Sequence, residues 1–118
     1  MTPRQIEDYL QDMLDAISAA QQFTAGMSFE AFEADQKTIF AVTRAIEIVG
    51  EATKSISPEL RENYSQIPWK SIAGMRDKVI HQYFGVNLQV LWDTVQQDLP
   101  TLQPIITQML NGLSNSES

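Results

Sequence analysis

Apolar positions in this chain recur at three- and four-residue intervals, and no stretch alternates with the two-residue period of a strand. The first such run is "TPRQIEDYLQDMLDAISAAQQFT", where Ile6, Leu10, Met13, Leu14 and Ile17 share one face of a helix. Thr2 is placed to cap it. Pro3 suits its first position, where a backbone N–H would have no partner anyway. Gly26 ends this helix or sits in the turn after it. At "SFEAFE", Ser28 caps a second helix, although Ala31 leaves the capping box incomplete. The pattern then continues to about Ile56, which predicts one rod of roughly 28 residues, or ~42 Å.

That rod has two faces. Ile39, Val42, Ile46, Val49, Thr53 and Ile56 line one; Arg44, Glu47, Glu51 and Lys54 lie opposite, within about 80° of arc at about 100° per residue. Charges alone describe a solvated surface with internal ion pairs. Phe40 projects among them, and an aromatic there points to a face covered by a partner or a second subunit.

"SISPELRENYSQIPWKSI" breaks the periodicity: Pro58 starts a short helical turn, and Pro68 starts another helix with Trp69 behind it. The third main helix is "PWKSIAGMRDKVIHQYF", closed by Gly85. Asn87 caps the fourth, "LQVLWDTVQQDL". The last, "LPTLQPIITQML", is expected to kink or restart at Pro100 and to tolerate Pro104 only within its first turn. The expectation is an all-α, up-and-down bundle of four to five helices, with one domain over 1–112 and a disordered polar tail over 113–118.

Composition narrows the function. The 118 residues contain no cysteine, which removes disulfides, thiolate catalysis and zinc–thiolate sites. No run of about 18 apolar residues is present, and the N-terminus lacks the basic-then-apolar pattern of a signal peptide, so a cytoplasmic protein with no membrane partner is expected. The net charge of −7 is unevenly spread: −6 over residues 1–35, +2 over 36–86 and −3 over 87–118. Such a chain is not built to grip long duplex DNA through its phosphates, but the cationic middle segment leaves room for a local phosphate site.

That segment contains "RDKVIHQYF", residues 76–84, with the chain's one histidine. On an ideal helix Arg76 and Tyr83 project within about 20° of each other, whereas Arg76 and His81 stand about 140° apart. His81 lies over Asp77 and beside Lys78 instead. A site joining Arg76 to His81 therefore needs a loosened last turn near Gly85, or two copies of the helix meeting across a dimer axis. Should they converge, histidine can move a proton at neutral pH and arginine can grip a phosphate. Together they suit attack of a ribose 2′-hydroxyl on the adjacent phosphodiester, which requires no metal or cofactor. Glu47 and Glu51, one turn apart, form a pair able to hold a divalent ion, though such pairs are usually surface charge. The structural reading is equally concrete: His81 at a helix C-terminus, Arg76 paired with Glu47 or Glu51, and Tyr83 in the core with its hydroxyl reaching water. Geometry alone leaves both open, with the structural reading needing fewer assumptions.

The order arginine, four residues, histidine, one residue, tyrosine matches the motif of the HEPN-domain ribonucleases. The stretch "AIEIVGEATKSISPELRENYSQIPWKSIAGMRDKVIHQYFGVNLQVLWDTVQQDLPTL", about half the chain, resembles the HepT toxin family more closely. The resemblance implies an all-helical homodimer with the motif at the subunit interface, acting as a metal-independent endoribonuclease toxin on RNA such as tRNA or mRNA. Arg76 and His81 match the catalytic pair. Tyr83 matches the tyrosine to which a minimal nucleotidyltransferase, the antitoxin, adds AMP. Many relatives have asparagine after the arginine where this chain has Asp77, whose carboxylate can orient His81 or stabilise its charged form. Arg44, Glu47, Glu51 and Lys78 are supporting candidates. Two other readings stand beside this one: a non-catalytic helical subunit that binds substrate for, or regulates, a nucleotidyltransferase, and a dimeric helical scaffold.

Overall fold

The computed structural model describes residues 5–74 and 87–116, with side chains through Leu113. All secondary structure among the described residues is helical. The order is α1 (Ile6–Thr24), α2 (Phe29–Glu33), α3 (Gln36–Lys54), α4 (Pro58–Asn63), α5 (described over 69–74), α6 (Leu88–Asp93), a π-helical turn (Thr94–Asp98) and α7 (Leu99–Ser116). The expected all-α bundle is the architecture found. Thr2, Pro3 and the expected stop at Gly85 lie outside the described residues; α1 as described starts behind Gln5, which forms a reciprocal capping box with Asp8.

α1 packs along α3 and against α7, so the core lies between these three rods. Leu10, Met13, Ile17 and Ala20 from α1 meet Val42, Ile46 and Val49 from α3 and Ile106 and Met109 from α7, each 1 % exposed or less. Three buried threonines donate to the carbonyl four residues back: the hydroxyl of Thr24 to Ala20, Thr53 to Val49, and Thr94 to Val90.

Two expectations are corrected. The rod expected from Ser28 to Ile56 is two helices. Ser28 does cap the first, accepting from Ala31 N–H at 3.1 Å. The chain then turns at Asp35, whose extended backbone and carboxylate, accepting from Thr38 N–H at 3.2 Å, begin α3 afresh. The break frees α2 to turn fully buried Phe32 against Trp92 of α6, ring centroids 5.2 Å apart.

The second correction concerns the prolines. Asn87 caps α6 as expected, through Gln89 and Val90 N–H. However, the chain reaches Pro100 through a π-helical turn without a restart, and Pro104 sits in the second turn of α7 without ending it. Proline lacks the N–H for an i−4 bond, and its ring crowds that carbonyl; the wider turn just before Pro100, with Leu99 N–H bonded to the Thr94 carbonyl, lets the rod pass. Gln96 in this turn donates to the Thr24 hydroxyl at 3.1 Å, tying it to the end of α1. The α7 backbone remains helical to Ser116, past the 112/113 boundary suggested by polar composition.

Candidate functional site

The described residues flank the motif on both sides, ending at 74 before it and resuming at 87 after it. Pro58 starts α4 as expected, behind Ser57, whose hydroxyl oxygen accepts from Leu60 N–H at 3.3 Å. Pro68 leads into α5, where the Ile72 N–H bonds the Pro68 carbonyl. Trp69 and Ile72 are buried, so the start of α5 is anchored in the core. Arg76, Asp77, Lys78, His81 and Tyr83 lie beyond it, outside the described residues.

The supporting candidates on α3 are described, and they separate. Arg44 and Glu51 line an open groove of about 600 Å³ between α3 and α1. Glu47 is not part of that lining; its carboxylate pairs with Arg44 Nη1 at 3.2 Å, one turn along the same helix. This is a surface pair, its arginine 62 % exposed, so it contributes to local order more than to stability. The expectation that Arg44 and Glu47 form internal ion pairs on a polar face is met. Phe40 is 47 % exposed within one chain. Among the described residues no three potential metal ligands cluster, so Glu47 and Glu51 are not joined by a third.

The opposite wall of the groove is α1, which contributes Tyr9, Asp12 and Asp15 above a floor that includes Ala16, Ala19 and Ala52. Asp15 also accepts from the Gln11 side chain at 2.9 Å. Three carboxylates thus face one guanidinium, and the small floor residues leave the space open. Sequence reasoning passed over the α1 wall because it read only the core stripe. The signal was available: Tyr9, Asp12, Ala16 and Ala19 repeat the same three- and four-residue spacing, one position before Leu10, Met13, Ile17 and Ala20.

A family model described as "Ribonuclease HepT-like" matches residues 13–109, a span that contains the motif, α3 and both walls of the groove except Tyr9 and Asp12. The chain is 49 % identical over 100 residues to a Thermococcus cleftensis protein named "Probable ribonuclease HepT", covering 85 % of this chain and 91 % of that one. It is 42 % identical over 109 residues to a Caldanaerobacter subterraneus protein named as a "Putative RNase", covering 92 % and 95 %. A Methanocaldococcus jannaschii protein with the same description is 36 % identical over 117 residues, covering 99 % and 97 %. No solved structure matches.

Proposed function

The chain belongs to the HepT-like ribonuclease family, and from that premise we propose that it is a metal-independent endoribonuclease, the toxin of a toxin–antitoxin pair. The observation that carries this reading is the spacing of Arg76, His81 and Tyr83 within a family match that spans most of the chain. His81 takes the proton from a ribose 2′-hydroxyl as its oxygen attacks the adjacent phosphorus, and a proton returns to the departing 5′-oxygen. Cleavage leaves a 2′,3′-cyclic phosphate on one product and a 5′-hydroxyl on the other. Arg76 stabilises the charge that develops on the phosphorane-like transition state. The two side chains converge across a homodimer, in which Phe40 is a contact, and Asp77 and Lys78 tune His81 from the same stretch.

Tyr83 is the switch. A partner nucleotidyltransferase, the antitoxin, adds AMP to its hydroxyl, which places a nucleotide and a negative charge where RNA phosphates must approach. The reaction site is cytoplasmic. Expressed alone in a host cell, the wild type is expected to arrest growth, and Arg76→Ala and His81→Ala to abolish the arrest while the protein remains dimeric. Undiminished toxicity in both variants would remove these residues from the catalysis.

A second reading is favoured by the groove, where three carboxylates face one arginine, and by the net charge of −7. Both disfavour RNA phosphates. On this reading the chain docks a nucleotidyltransferase and cuts nothing. An intact mass showing unmodified Tyr83, together with no cleavage of RNA by the same sample, would select it.

A further inference from the structure

A chain of hydrogen bonds outside the groove joins α3 to the start of α5. Arg61 of α4 donates from Nε to the Ile56 carbonyl at 3.0 Å and from Nη2 to the Thr53 carbonyl at 2.6 Å. Thr53 lies in the last turn of α3, where the helix presents partial negative charge, and Ile56 follows just beyond the helix's C-cap, Ser55. Arg61's own carbonyl and that of Tyr64 then both accept the Trp69 indole N–H, each at 3.1 Å. Trp69 is 8 % exposed and opens α5. The far side of this junction is held as well: the Tyr64 hydroxyl reaches α7, close enough that a methyl at Gly112 would stand 3.4 Å from it.

The path therefore begins on the helix that carries Arg44 and Glu51 and ends seven residues before Arg76 in the sequence. A buried indole requires a partner for its N–H, and one carbonyl would be enough. Here the donor is shared between two carbonyls of one segment, which fixes the ring's direction as well as its depth.

We infer that Arg61 and Trp69 are positioning residues for the family's reaction, an inference that rests on the ribonuclease reading above. Arg61 fixes α4 on the end of α3, and Trp69 fixes the start of α5 on α4, so together they set where and in what direction α5 delivers the motif. A displacement of about 1 Å at a reacting centre can cost about 100-fold in rate, so this anchorage matters well beyond the stability it adds.

The test uses the full-length protein and three kinds of variant. Trp69→Phe keeps the buried ring and removes only the donor. Arg61→Ala removes both bonds to the Thr53 and Ile56 carbonyls, and Arg61→Lys can still reach one of them. Ile106→Val, in the fully buried core of α7, serves as a comparator that loosens core packing and removes none of these hydrogen-bonding groups. On an RNA oligonucleotide, Trp69→Phe and Arg61→Ala are expected to lower kcat by about 10- to 100-fold with KM little changed, and Arg61→Lys to recover part of the loss. Ile106→Val lowers the melting temperature but leaves kcat as in the wild type.

A second readout needs no catalysis. His81 is the chain's one histidine, so its ring-proton NMR titration is unambiguous. Its midpoint is expected to move in Trp69→Phe and to stay in place in Ile106→Val. Wild-type kcat and an unmoved His81 midpoint in Trp69→Phe, despite a lowered melting temperature, would reduce the junction to ordinary stabilisation and overturn the inference. If the wild type cleaves no RNA, the ribonuclease reading fails by itself. The His81 midpoint then decides: a shift confined to the junction variants supports positioning, and no shift overturns it.

Discussion

Asp35 accepts the Thr38 backbone N–H, and that bond holds its carboxyl below the ordinary aspartate range, with the Thr38 hydroxyl adding to the effect. The consequence for stability has a definite sign. A carboxylate whose folded pKa is depressed contributes fully above its unfolded value, near pH 4, and loses that contribution as pH falls through the lower folded value. Asparagine caps a helix about as well as aspartate and does not titrate. Thermal unfolding of the wild type should therefore weaken more steeply than that of Asp35→Asn as pH drops below about 4, with the two converging in behaviour near neutrality. Parallel pH profiles would show that the cap does not act through its charge. At this scale much was legible. Ser28 and Asn87 are legible as caps from their place before apolar runs, and each accepts the backbone bonds expected of it. Asp35 was passed over because it sits inside a pattern that continues on both sides, where a capping residue looks like one more charge on a polar face.

Elements were legible as types and misjudged in their joints. Periodicity identified each long helix, because burying a stripe at three- and four-residue spacing requires that conformation. It could not find the break before α3, since Phe32 and Ile39 are seven residues apart and stay in phase whether or not the rod is continuous. What decides the break is tertiary: Phe32 packs on Trp92, a residue 60 positions away. Pro100 and Pro104 misled in the opposite direction, because a π-helical turn admits the first and the rod continues past the second. That turn is held to α1 by Gln96 on the Thr24 hydroxyl. Gln96→Ala is expected to cost about 0.5–1 kcal/mol in chemical denaturation, the usual net value of one such bond. A change within error would show that the turn is set by the prolines without help from α1.

For the whole molecule, the charge distribution and the family tell complementary parts of the story. The cationic surplus lies between residues 36 and 86, the stretch containing the motif, whereas α1 carries acidic residues into the groove. For an RNA substrate, the charge that favours phosphate lies in that middle segment of the sequence and not on the acidic α1 wall. The motif was legible from spacing alone only as one of two readings; the resemblance of its flanks pointed to a ribonuclease family, and the family model that matches the chain is of one. The spacing of the α1 wall was legible but its use was not, because the groove exists only once α1 and α3 pack side by side. Assembly offers its own check at this scale. If Phe40 is a subunit contact, Phe40→Ala should weaken the dimer by about 2 kcal/mol, roughly 30-fold in Kd, in sedimentation measurements. A dimer as tight as the wild type would take Phe40 out of the interface.

The most direct test of the central claim is cleavage of RNA by the purified protein in the presence of a metal chelator, on a sample whose intact mass shows Tyr83 without AMP. The account predicts cleavage by the wild type that ends in 2′,3′-cyclic phosphates and is lost in His81→Ala. Intact RNA after incubation with unmodified wild type, or equal cleavage by His81→Ala, would contradict it.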